Sequence, residues 1–94
     1  MNKALYELKN KYNINIILEE SSNIILEFLY KNESIIFDIK YDNNFPITIP
    51  KIQIMNTNKY INKGYLPNDF EMESLDTKWN SNLICIFDEI ITKL

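Results

Sequence analysis

Ninety-four residues, 46% of them apolar, suit one small domain whose single core buries about two-thirds of the unfolded surface. The net charge is −3, and all ten basic residues are lysines spread along the chain, which excludes the basic, arginine-bearing stripe that nucleic acids require. One cysteine, no histidine and a single glycine, Gly64, exclude an internal disulfide, a zinc cluster, a histidine-based triad and a phosphate-cradling glycine loop.

The first twelve residues carry Leu5, Leu8 and Tyr12 at helical spacing with charges on the other faces, which predicts a helix over 2–12. They lack the apolar centre of a signal peptide. No apolar run approaches the roughly 20 residues of a membrane span, so the expected setting is cytoplasmic or nuclear, without membrane contact. Ile14, Ile16 and Leu18 alternate with Asn15, Ile17 and Glu19 as a first strand. After a turn at 20–23, Ile24 to Tyr30 forms a second, with Leu26, Phe28 and Tyr30 on one face. Lys31-Asn32-Glu33 reverses the chain into a third, where Ile35, Phe37, Ile39 and Tyr41 share a face. Loops this short demand an antiparallel meander.

The third strand breaks at Asp42-Asn43-Asn44, residues that bond their own backbone and tolerate turn dihedrals. Phe45, Pro46 and Pro50 then impose an extended path. Ile47 to Met55 reads as the fourth strand. From Asn56 to Lys78 the periodicity fails, and a loop of this length is often functional. Its Tyr60 and Tyr65 either meet a partner or cover the end of the sheet. Asn80 or Ser81 caps a final helix with Leu83, Ile84, Phe87, Ile90, Ile91 and Leu94 on a broad apolar face. The expected class is α+β: one domain over 1–94, built as helix, four-stranded antiparallel meander, long loop, and a C-terminal helix packed on the sheet.

That order, with the strand, Asn turn, Phe45-Pro46, Pro50, strand signature and with Trp79 just before the last helix, resembles the ubiquitin-conjugating (UBC) superfamily. This group includes active conjugating enzymes, their inactive UEV variants and RWD domains. The resemblance covers essentially the whole chain, and KWNSNLICIFDEI is most similar to the UEV branch. The connection between the second and third strands is short, as in RWD domains. The helices that often follow in the superfamily have no counterpart, so the domain is expected to be minimal. Phe45, Pro46, Pro50 and Trp79 are read first as structural anchors.

The resemblance implies a thioester-forming cysteine and an oxyanion-stabilising asparagine in the loop before the tryptophan. Counting back from Trp79 puts Glu71 at the nucleophile position, and a carboxylate forms no thioester. The asparagine tripeptide is replaced by Ile61-Asn62-Lys63. The alternative is an active enzyme using Cys85, with Tyr65-Leu66-Pro67-Asn68 supplying Asn68. It leaves Trp79 unmatched and consumes the final helix. Cys85 otherwise reads as a small core residue. Glu71 and Glu73 read as a solvated acidic loop rather than as hydrolase carboxylates.

No catalytic residue, cofactor or metal is therefore expected. The resemblance implies a protein-interaction module whose ligase-facing positions are Lys3, Ile47, Asn80 and Ser81. Expected partners are an active conjugating enzyme, a ubiquitin-like modifier or a ligase, in a hetero-complex or dimer. A docking subunit of a larger complex is the third alternative. The last helix is expected to leave an apolar flank for such a partner.

Overall fold

The computed structural model describes residues 2–45, 47–56, 58–64, 69–70 and 82–92. It is an α+β arrangement with an N-terminal helix, an antiparallel sheet and a C-terminal helix. Helix α1 (Asn2–Lys11) turns Leu5 and Leu8 into the core. Strands β1 (Ile14–Glu19), β2 (Asn23–Tyr30), β3 (Glu33–Lys40) and β4 (Lys51–Ile54) then follow as the expected meander. Every neighbouring pair is antiparallel, in the order β1-β2-β3-β4-β5, where β5 is the two-residue Asp69–Phe70.

Register follows from side-chain alternation. Ile24, Ile39 and Ile52 stand side by side on the core face, as do Leu26, Phe37 and Ile54, and Phe28 faces Ile35. A slip of one residue would turn this entire apolar set to the opposite face, so the pairing is strongly specified. Helix α3 (Leu83–Thr92) closes the layer with Leu83, Ile86, Phe87 and Ile90, one buried stripe at helical spacing. The Phe87 ring meets Phe28 and Phe37 edge-on at centroid distances of 5.6 and 5.1 Å, an arrangement that suits the aromatic quadrupole.

Four local expectations are corrected. In β1 the pairing slips between Ile16 and Leu18, a bulge that leaves Ile17 unpaired and turns Leu18 outward beside Ile25. The fourth strand starts at Lys51 rather than at Ile47. The backbone N–H groups of Ile47 and Thr48 donate to the Asn44 carbonyl instead, and Pro50 has no N–H to give a ladder. The segment expected as loop contains a short helix α2 (Lys59–Asn62) as well as β5. Asn58 caps α2 by accepting from the N–H groups of Tyr60 and Ile61, and Gly64 ends it at φ +79°. Finally, Asn82 is the cap of α3 rather than Asn80 or Ser81, its side chain accepting from the Ile84 N–H at 3.0 Å.

The connection between β2 and β3 is a two-residue turn in which Lys31 and Asn32 both take positive φ, 49° and 66°. This geometry matches the right-handed twist of the flanking strands. No helix among the described residues is long and apolar enough to cross a membrane.

Candidate protein-binding surfaces

The segment between β3 and β4 is held from within. The Asp42 carboxylate accepts from the Asn44 N–H at 2.9 Å and from the Thr48 hydroxyl at 2.5 Å. The Thr48 bond, with the Asn44 amide next, holds the Asp42 carboxyl below its ordinary pKa. The Phe45 ring lies tilted against that of Tyr41, centroids 5.3 Å apart, the Tyr41 hydroxyl donates to the Glu20 carbonyl, and Pro50 is buried. Fixing both ends of the segment leaves its middle standing clear. Ile47 is 80% exposed and Ile49 48% exposed. A large apolar group held in solvent by an ordered turn has the character of an interface anchor.

Lys3 is exposed on α1, an element separate from the Ile47 segment. Phe45 packs against the core, as a structural anchor should. Pro46, Asn68, Glu71, Glu73, Trp79, Asn80 and Ser81 lie outside the described residues. Ile49 escaped the sequence reading, whereas the expected backbone bonding at Asp42-Asn43-Asn44 is seen in the Asn44 N–H donating to the Asp42 carboxylate. The Ile-Thr-Ile alternation carries the signal for Ile49, and Asp42 two residues before Asn44 carries that for the self-bonded turn.

Cys85 lies in the first turn of α3, half-buried against the core between Ile84 and Ile86. Tyr60 is buried, its ring 6.1 Å from Tyr30, so it covers the end of the sheet. The expected apolar flank on α3 is absent among the described residues. Ile84 and Ile91 pack against the core, and the exposed large apolar side chains lie on α1, on β1, β2, the β3–β4 segment and just after β4.

Where α1 ends, it is pinned to α3. The Tyr12 hydroxyl donates to Asp88, and Lys11 donates to the same carboxylate at 2.9 and 3.1 Å. Burial and the Asp88 bond push the Tyr12 pKa up to about 12. Burial alone would raise Asp88, but the Tyr12 and Lys11 bonds outweigh it and hold its carboxyl below the ordinary range. These groups join two helices. No group of three or more potential metal ligands occurs among the described residues. Comparison with protein-family models, curated proteins and solved structures finds no match.

Proposed function

We propose that the chain is a non-catalytic, UBC-like protein-interaction module of the UEV or RWD type. The observation that carries this reading is the position of the sole cysteine. Cys85 sits inside a helix packed on the sheet, half-buried between two isoleucines. A thiol that accepts and hands on a protein modifier must be reachable by two other macromolecules, and the surroundings of Cys85 favour packing over transfer.

Several features support the superfamily reading. The order of helix, antiparallel meander and covering helix agrees with it, and so does the Phe45 to Pro50 path into β4. The two-residue turn at Lys31-Asn32 favours the RWD branch, whose members act as assembly modules, while the sequence around Trp79 favours the UEV branch, whose members pair with an active conjugating enzyme. In both, function is binding, and Ile47 is its leading anchor.

The test uses whichever protein co-purifies with the native chain, followed by binding measurements on the purified pair. Ile47→Asp should weaken that binding by at least roughly tenfold with an unchanged melting temperature, because the residue contacts little of the fold. Cys85→Ala should leave binding unchanged. Unaltered affinity in Ile47→Asp would reject Ile47 as the anchor.

A further inference from the structure

The route from β3 to β4 carries two isoleucines through solvent, Ile47 at 80% and Ile49 at 48% exposure. Water opposes that arrangement, because apolar side chains gain free energy by folding back onto apolar surface. The bonds within the segment explain how it persists. At its root, the Tyr41 N–H donates to the Ser22 carbonyl at 3.0 Å and the Tyr41 hydroxyl to the Glu20 carbonyl, which ties the segment to the β1–β2 turn. At its far end, Pro50 is buried and Lys51 enters the β4 ladder opposite Lys40. Between these ends Asp42 serves twice. Its carbonyl accepts from the Phe45 N–H at 3.1 Å, and one carboxylate oxygen, Oδ1, accepts from both the Asn44 N–H and the Thr48 hydroxyl. The Thr48 bond is 2.5 Å long, in the range of a hydroxyl on an ionised carboxylate, and it closes the loop 42–48. Inside that loop the Asn44 carbonyl takes the N–H groups of Ile47 and Thr48, at 2.7 and 3.3 Å. The Thr48 side chain is thereby turned back to Asp42 while its two neighbours stay in solvent.

We propose that Asp42 and Thr48 are positioning residues, whose bond holds the 42–48 loop in the shape that presents Ile47 before any partner arrives. The proposal rests on the reading of Ile47 as the anchor and adds the device that makes it one. A loop already ordered in its bound shape loses less freedom on association, so a clasp that touches no partner still raises affinity. Threonine suits the task, because its β-branched side chain has restricted rotamers and so aims the hydroxyl. Asp42 is exposed and Thr48 half-buried, so water replaces a lost bond and the core is untouched. Presentation of the segment is therefore separable from stability of the fold.

The test uses Thr48→Val, which keeps the shape and removes the donor, Thr48→Ser, which keeps the donor, and Ile47→Ala, which removes the anchor. In the free chain, hydrogen exchange and backbone-amide NMR relaxation follow Ile47 and Thr48. Both amides should exchange at least about threefold faster in Thr48→Val, with larger-amplitude motion and an unchanged melting temperature, and Thr48→Ser should match the wild type. Binding is then measured against the purified protein that co-purifies with the native chain. Thr48→Val should weaken it about three- to tenfold, and Thr48→Ser should not. In an Ile47→Ala background Thr48→Val should add no further loss, as expected when one residue acts through the other. Wild-type exchange and motion in Thr48→Val would overturn the clasp whatever the binding shows. Full affinity in Thr48→Val beside a loss in Ile47→Ala would overturn the positioning role and leave the anchor standing. An undiminished further loss in the Ile47→Ala background would overturn it too, since Thr48 would then meet the partner itself. Full affinity in Ile47→Ala would instead reject the anchor, and the positioning role with it.

Discussion

Tyr12 and Asp88 show how a single bond can join elements far apart in sequence. A tyrosine at the end of α1 is ordinary, but its hydroxyl meets a carboxylate on α3 while its ring packs at 5.6 Å from Phe28. The proton is retained in the fold, because a phenolate beside Asp88 would be repelled and partly desolvated. The folded pKa of about 12 therefore exceeds the unfolded 10.0. Stability from this pair is fully present below pH 10 and is lost as pH rises from there through about 12. Asp88 behaves in the opposite sense. Its folded pKa lies below 3.8, so its contribution is present above that value and is lost as pH falls through the depressed pKa. Ultraviolet titration should show one tyrosine ionising near 12 in the wild type. In Asp88→Asn that value should drop while staying above 10.0, since burial persists and the charge does not. An unchanged titration would mean that the two side chains do not meet in solution.

At the scale of elements, the meander and both terminal helices were legible because each carries one clear period. Alternation at 35–41 fixed the core face of β3, and the three- and four-residue spacing of Leu83, Phe87 and Ile90 fixed that of α3. Ile86 completes that stripe although Ile84, two residues before it, masked it, since four isoleucines within one helix blur the face. The bulge in β1 was not legible, because an uninterrupted apolar run over Ile16, Ile17 and Leu18 satisfies either register. Helix α2 was missed for its brevity, although Asn58 before it and Gly64 after it are the usual start and stop residues. The energetics of α3 follow from its cap and its anchor. Asn82→Ala should lower stability by about 1 kcal/mol through loss of the side-chain acceptor for Ile84. Phe87→Ala should lower it by roughly 3–5 kcal/mol through loss of ring contacts and a residual cavity. Urea denaturation of the two variants checks both values. A smaller effect for Phe87→Ala than for Asn82→Ala would contradict the placement of α3 over the sheet.

For the whole molecule, the division of surfaces matters more than any single residue. One sheet face is consumed by the core, and the β3–β4 segment lifts Ile47 and Ile49 into solvent. Composition excluded a histidine-based triad and a phosphate-cradling glycine loop. Ile47 entered through the superfamily resemblance and stands 80% exposed, whereas the bulge at Ile17 is revealed only by three-dimensional pairing. The account stands on Cys85 being a packing residue. A thioester assay with an activating enzyme, ATP and a panel of ubiquitin-like modifiers tests this most directly. The wild-type chain should form no reducible adduct and should be indistinguishable from Cys85→Ala, whereas a reducible adduct that disappears in Cys85→Ala would contradict it.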